Sequence, residues 1–412
     1  KEQNITIRKN RITAASTQID VKTAKAALFP SLSFSTSQQV VNRPYQETSS
    51  RVSGSEIISS NSKTSYNGNY GLNASWTLYN GNKRLKTIQQ EKLNNQVAEL
   101  DVATSENNIQ ESIAQVYIQI LYAAESVKVN ESTLQVSIAQ RDRGQELLNA
   151  GSIAKSDFAQ LEAQVSTDRY QLVTAQATLE DYKLQLKQLL ELDGENEMNI
   201  YLPALSDENV LAPLPTKKDV YISALSLRPE IEASKLNVEA SELGIGIAKS
   251  SYLPTISLSA GIGTNHTSGS DFTFGEQVKN GWNNSIGLSV SVPIFNNRQT
   301  KSAVQKAKLQ YETSMLSLLD EQKTLYKTIE GLWLDANSAQ QRYAAANEKL
   351  KSTQISYELI SEQFNLGMKN TIELLTEKNN LLQAQQEQLQ AKYMAILNTQ
   401  LLKFYQGDQL AL

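Results

Sequence analysis

The sequence predicts a mainly α-helical chain made of one unit used twice, a β-hairpin followed by a long helical hairpin. Three observations predict it: a repeat at fixed offset, the placement of proline, and four short segments that alternate with period two. The repeat comes first. Gly71-Leu72 recurs as Gly287-Leu288, Ser75 as Ser291, Asn80 as Asn296 and Lys92-Leu93 as Lys308-Leu309, always 216 residues apart. The match continues through Leu134 and Leu350 to Asn149-Ala150-Gly151 and Asn365-Leu366-Gly367. Drifting loops would break such a register, so a structural unit is duplicated.

Proline then marks where helices fit. All eight prolines lie at Pro30, Pro44, Pro203, Pro213, Pro215, Pro229, Pro254 and Pro293, leaving residues 45–202 and 294–412 free of them. An interior proline costs a helix about 3 kcal/mol, so these voids admit long uninterrupted helices. A helix from Asn80 to Asn149 would measure about 105 Å, and Asn296 to Asn365 would match it. Ile113, Val116, Ile120, Ala123, Val127 and Leu134 follow the 3-4 spacing of a coiled-coil seam. The return helix does so with Leu161, Val165, Leu172 and Leu179, and its second copy with Leu375, Leu382, Leu389 and Ile396. Asn149 to Ser152 and Asn365 to Met368 supply the turns, where glycine can take the left-handed conformation that ends a helix. Residues 193–229 hold Asp193-Gly194 and four prolines and read as a connector with a short irregular subdomain. The domain expectation is therefore a first repeat at 1–192, the connector at 193–229 and a second repeat at 230–412, interleaved as one body.

The four remaining segments alternate. Leu32 and Phe34 alternate with serines; Tyr70, Leu72, Ala74, Trp76 and Leu78 with Gly, Asn, Ser and Thr. Ile256, Leu258, Ala260 and Ile262 repeat this, as do Ile286, Leu288, Val290, Val292 and Ile294. Each segment has the length of a tilted membrane strand, with small uncharged residues on one side for a wet lumen and apolar ones for lipid. Soluble hairpins packed on the helices are the other reading. Four strands cannot form a barrel, and an open edge is not tolerated in lipid, so closure would take several chains about an axis. Three chains give twelve strands; the alternation alone also admits two or four. Loops 38–69 and 264–284 are rich in Ser, Asn, Thr and Gly and would lie beyond the membrane.

Composition excludes several functions. Thirty-nine basic against forty-three acidic residues give a net charge of −4, without the clustered basic face that nucleic acid requires. Mean hydropathy is −0.40, and no apolar run approaches a membrane-spanning helix. The chain has no cysteine and one histidine, His266, so thiolate sites and a His-based triad or zinc site lack their parts. His266 reads as a solvent-exposed residue of an outer loop. No catalytic constellation and no cofactor motif is present; Gly261-Ile262-Gly263 lies in a strand pattern without phosphate-loop context.

The chain resembles the TolC-type outer-membrane efflux proteins of Gram-negative bacteria. The residues that carry this are Ala24 to Ser33, centred on Pro30, and their echo Ala248 to Ser257, centred on Pro254. With them go the corners Leu78-Tyr79-Asn80-Gly81 and Ile294-Phe295-Asn296-Asn297, and the tips Gly151 to Asp157 and Gly367 to Glu373. The resemblance covers essentially the whole chain. It implies a homotrimer with a twelve-stranded β-barrel in the outer membrane, continuous with an α-helical tunnel through the periplasm, and residues 193–229 in a belt around the tunnel. It implies a passive exit duct for an inner-membrane pump and its periplasmic adaptor, in efflux or type I secretion, with no enzymatic activity. The second copy has Asp219 to Leu225 ahead of its first helix and the first copy lacks the counterpart, so upstream residues, and a removed signal peptide, are expected.

The resemblance also assigns a periplasmic gate. The acidic residue six places after the tip glycine is Glu373 in the second copy and Asp157 in the first. A family arginine is Lys369 here, and a family tyrosine is Phe364, without the hydroxyl. A second acidic ring would fall at Thr376, which is not acidic, beside Glu377. The local reading of Asp157 and Glu373 is instead that carboxylates favour a helix start, by about 0.3–1 kcal/mol. The adaptor would dock on Gly151, Ser152, Ile153, Gly367, Met368 and Lys369. Two rival functions remain at this stage, a secreted helical pore-forming toxin and a structural coiled-coil fibre.

Overall fold

A computed structural model describes residues 3–45, 49–53, 56–60, 63–192, 200–201 and 210–410. In chain order these form α1 (Ile5–Ala26), β1 (Ser31–Asn42), β2 (Ser49–Ser53), β3 (Glu56–Ser60), β4 (Thr64–Asn80), α2 (Lys83–Asn149) and α3 (Lys155–Leu189). The second half supplies α4 (Lys217–Leu227), α5 (Pro229–Lys249), β5 (Thr255–Thr267), α6 (Phe274–Asn280), β6 (Asn283–Ser291), α7 (Gln299–Asn365) and α8 (Thr371–Gln406). The two long helices α2 and α7 have 67 residues each and occupy positions related by the 216-residue offset at both ends. They start three residues after the asparagines that the repeat suggested, because the corner takes those residues. Gly81 and Asn82 have φ of 68° and 63°, and Asn297 and Arg298 have 51° and 65°. Two successive left-handed residues turn each strand into its helix, so the corner is duplicated as well.

The chain divides into two compact units, each drawn from both repeats. One combines Ala15–Val97 with Lys235–Leu316, the other Lys1–Ala14, Ala98–Ser234 and Ser317–Leu412.

The first unit carries a four-stranded antiparallel sheet in the order β1-β4-β5-β6. Its register sorts the side chains. Phe34 lies opposite Leu72, Leu72 opposite Ile262, Ala74 opposite Ala260, and Leu258 opposite Leu288. Ser35 lies opposite Gly71, Asn73 opposite Gly261, and Ser259 opposite Gly287. One face is therefore apolar across all four strands and the other is Ser, Gly and Asn. The apolar face is open: Leu32, Phe34, Ile286, Leu288 and Val290 are each more than half exposed. On the polar face Ser31 and Ser75 hydroxyls bond at 2.9 Å and Asn69 Nδ2 donates to Ser37 Oγ at 3.3 Å. β1 and β6 are the edges of this sheet. At the helix-bearing end, Trp76 Nε1 donates to Leu28 O at 2.7 Å, and Arg84 donates to Ala27 O at 2.9 Å and to Thr77 O.

The second unit is helical, with cores that name its neighbours. Ile118 and Leu121 of α2 pack with Ala339 and Tyr343 of α7 and with Leu389 and Ile396 of α8. Val220 and Ala224 of α4 pack with Ile231, Ile329 and Leu402. The joint between α4 and α5 is fixed by Arg228, whose buried guanidinium bonds Glu111 and Glu230 at 2.8 Å and lies 4.0 Å from the Tyr405 ring. Burial, more than the neighbouring Glu111, pushes the Tyr405 phenol up to about 12.

Several sequence expectations need correction. α4 is a regular helix inside the stretch read as irregular, capped by Thr216, which accepts from Asp219 N. Asp193-Gly194 and Pro203 lie outside the described residues. β6 ends at Ser291, so Val292 and Ile294 leave the strand at Pro293, which has no N–H for a ladder. The loops between strands also hold structure: β2 pairs with β3, and α6 forms between β5 and β6. His266 lies within β5, not in a loop, and its ring stacks on Tyr70 at 5.8 Å.

Candidate functional site

The tips close α2 to α3 and α7 to α8 in the second unit. In both, a glycine follows the long helix in the left-handed region, φ 73° at Gly151 and at Gly367. The amide of the next residue reaches back, Ser152 N to Leu147 O and Met368 N to Gln363 O, each at 2.8 Å. That pairing is the Schellman closure of a helix end. Nothing lies within 4 Å of a Cβ built on either glycine, so a substitution there meets only backbone strain. Gly367→Ala is expected to lower stability by about 1–2 kcal/mol, and Gly367→Asn by less, since Asn tolerates that region. Thermal unfolding of the purified variants measures both.

The structure gives each proposed gate residue a definite local setting. Glu373 completes a capping box with Asn370: Glu373 N donates to Asn370 Oδ1 at 2.9 Å, and Asn370 N to Glu373 Oε2 at 3.2 Å. Its other oxygen takes Lys369 Nζ at 2.7 Å. The Lys369 hydrogen bond, followed by the Asn370 amide, holds the Glu373 carboxyl below the usual range. Asp157 accepts from Ala154 N at 3.3 Å, but Ala154 offers no side-chain acceptor in return. Phe364 is buried with Leu161 and Leu374, and Leu147, Tyr357 and Ile360 pack against them, so its ring is tip core. Glu377 accepts from Ser356 Oγ at 3.1 Å. Of the residues expected to meet an adaptor, Gly151, Ser152, Gly367 and Met368 are exposed, and Ile153 and Lys369 partly so. Leu366 at 74%, Met368 at 69% and Ile372 at 62% exposure leave the second tip with an apolar cap.

Sequence reading missed a buried charged cluster behind the tips. Lys378 of α8 donates to Asp168 of α3 and to Ser137 of α2, and Ser137 donates to the same Asp168 oxygen. Gln164 Nε2 donates to the other Asp168 oxygen at 2.9 Å. The ion-pair side chains are 4% and 1% exposed. Burial lowers the pKa of the Lys378 ammonium while Asp168 acts to raise it. The cluster ties one helical hairpin to the other at a depth where water does not screen the pair. Each partner occupies its helix's apolar stripe, Asp168 after Leu161 and Val165, Lys378 between Leu374 and Leu381. A charge at a seam position was the available signal.

Among the described residues, no helix is long and apolar enough to cross a membrane, and no group of three or more His, Asp or Glu could hold a metal.

One unit carries a sheet with one bare apolar face and the other carries paired helical hairpins, and a single family model spans both. The chain belongs to the outer membrane efflux protein family, whose profile matches residues 1–191 and 220–407. It is 24% identical over 294 residues to the outer membrane efflux protein BepC of Brucella suis, covering 71% of this chain and 61% of BepC. It is 23% identical over 311 residues to the outer membrane protein TolC of Escherichia coli, covering 73% of this chain and 62% of TolC. The matched region thus spans about three-fifths of the length of these relatives. The fold is that of the CusC crystal structure, at a TM-score of 0.82 and 19% identity over 98% of this chain and 90% of CusC. Membership places the chain at the outer membrane.

Proposed function

We propose that this chain forms the outer-membrane channel of a tripartite efflux or type I secretion system. In this reading three copies close a twelve-stranded barrel that continues into an α-helical tunnel through the periplasm of a Gram-negative bacterium. The repeats 1–192 and 230–412, joined by 193–229, supply corresponding halves of each protomer's share. The observation that carries the reading is a four-stranded sheet with one exposed apolar face and, among the described residues, two unpaired edges. Such a sheet is stable in lipid only when its edges meet partners, and cyclic symmetry supplies them. The Ser, Gly and Asn face then lines a wet lumen. The channel itself is a passive duct; a pump supplies energy, and no residue performs covalent chemistry. Family membership favours this duct over the toxin and the fibre.

The tips are the entrance. The apolar cap of Leu366, Met368 and Ile372 beside Gly151, Ser152, Ile153, Gly367 and Lys369 suits an adaptor, which would part the hairpins as rigid bodies. Around a threefold axis Glu373 and Asp157 would form carboxylate rings that prefer cations. Because Lys369 and the Asn370 amide favour the charged form of Glu373, cation preference should persist at the ordinary carboxylate value of 4.5 and fade only below it. Planar-bilayer conductance of wild type and Glu373→Ala tests this. With only the Asp157 ring left, the variant should show weaker cation preference and weaker block by divalent cations; if both are unchanged, Glu373 is a helix cap and not a gate.

A further inference from the structure

The seven-residue helix α6 lies in the β5–β6 loop, and its polar groups are satisfied close by. Thr273 N donates to Glu276 Oε2 at 2.8 Å, and Gln277 Nε2 to Phe272 O at 2.9 Å. Two bonds seat it on β5: Thr264 Oγ1 donates to Val278 O at 2.7 Å and Thr267 N to Gln277 Oε1 at 2.9 Å. The Phe274 ring meets His266 edge-on at 5.0 Å, and His266 in turn stacks on Tyr70. Tyr70, Thr264 and His266 continue the register file of Leu72 and Ile262, so α6 is docked on the apolar side of the sheet. Gly68 makes the docking possible, since a Cβ there would come within 2.1 Å of the imidazole.

The large apolar side chains this segment leaves exposed are aromatic, Phe272 at 45%, and Phe274 and Trp282 each at 57%, with Asp271, Glu276 and Lys279 exposed beside them. Three bare rings gain nothing in water. Rings with an apolar body concentrate at the boundary of acyl chains and headgroups, in girdles at both margins of a membrane barrel. Phe29, Trp76 and Phe295 are exposed at the helix-bearing end of the strands, and the α6 rings are at the opposite end. Along β4 the apolar file from Trp76 to Tyr66 runs about 33 Å at ~3.3 Å per residue. At a tilt of about 40° that is a band roughly 25 Å high, the height of a barrel's lipid zone.

We propose that α6 with Phe272, Phe274 and Trp282 is an interfacial foot that binds lipid at the outer-leaflet boundary and sets how deep the sheet sits. It rests on the barrel reading and adds a lipid contact that the strands alone do not make. Continuity with the apolar face selects lipid as the occupant, against a second copy of the chain.

The chain has no cysteine, so single nitroxide labels can be placed at will. Gly275→Cys tests α6, where a Cβ meets nothing within 4 Å; Leu288→Cys reports the apolar face and Ser33→Cys the polar face. In phosphatidylcholine vesicles, the ratio of oxygen to nickel-chelate collisions should be high at 288, low at 33 and several-fold above the latter at 275. With Trp76→Phe and Trp333→Phe, the remaining Trp282 should be quenched more by lipid brominated near the headgroup than at mid-chain. A ratio at 275 equal to that at 33, with 288 still oxygen-rich, overturns the foot and leaves the barrel. Access to neither reagent at 275 means a second copy covers α6, and also overturns it. A low ratio at 288 removes the barrel reading itself.

Discussion

Lys378→Met lowers the stability of the helical unit by about 3–5 kcal/mol, and adding Asp168→Leu recovers most of that loss. The reason is asymmetry. Lys378 and Asp168 are both removed from water, and each is tolerated only because the other neutralises it. Deleting the ammonium leaves a buried carboxylate with only Ser137 and Gln164 as donors, too little to repay its desolvation. Deleting both charges leaves apolar side chains in an apolar stripe, which costs little and can be favourable. Ser137 then keeps an unpaired hydroxyl, which limits the recovery by about 1 kcal/mol. Urea unfolding of detergent-solubilised wild type, both single variants and the double variant, followed by helical circular dichroism, closes the cycle. Additive losses would mean that the two residues act separately and that the cluster does not tie the hairpins.

Leu288→Arg blocks membrane assembly, while Ser289→Arg is tolerated. The two residues are neighbours on β6 and point to opposite faces, Leu288 opposite Leu258 and Ser289 opposite Ser257. Leu288 is 65% exposed in the isolated chain, so a soluble hairpin would accept arginine there without loss. In lipid the same change costs about 2–4 kcal/mol near the midplane for each chain, and a symmetric ring multiplies it by the number of copies. At 289 the guanidinium enters a wet lumen, and the expected effect is lower conductance with reduced cation preference. Recovery of folded oligomer in the membrane fraction, and single-channel recording of whatever inserts, separate the two outcomes. Equal recovery of both variants would show that the apolar face does not meet lipid.

Much of this organisation was legible because the sequence states it twice. The 216-residue offset fixed the ends of α2 and α7 at Asn149 and Asn365, where the turn glycines follow, and strand alternation located β1, β4, β5 and β6. What stayed hidden depends on distant partners or on lengths too short for periodicity. Lys378 stands in the polar run Glu377-Lys378-Asn379-Asn380, which masks its seam position, and its partner is 210 residues away. The Thr273-x-x-Glu276 motif was present, but seven residues cannot display a helical stripe. His266 read as a loop residue because its stacking depends on Gly68, on another strand. At the tips the residue types were visible but their engagement was not. Glu373 is occupied by Lys369 and Asn370, and Phe364, placed by resemblance where a tyrosine would bond, fills the tip core.

The proposed barrel pairs β1 of one protomer with β6 of the next around a closed ring of three. Cysteine pairs, one in β1 at Ser33 or Ser35 and one in β6 at Ser285 or Ser289, test it directly in this cysteine-free chain. Oxidation in the outer membrane should give a ladder of monomer, dimer and trimer that ends at trimer, with the trimer accumulating at completion. A ladder that stops at dimer, continues past trimer, or fails to form at every pair would contradict a three-chain barrel.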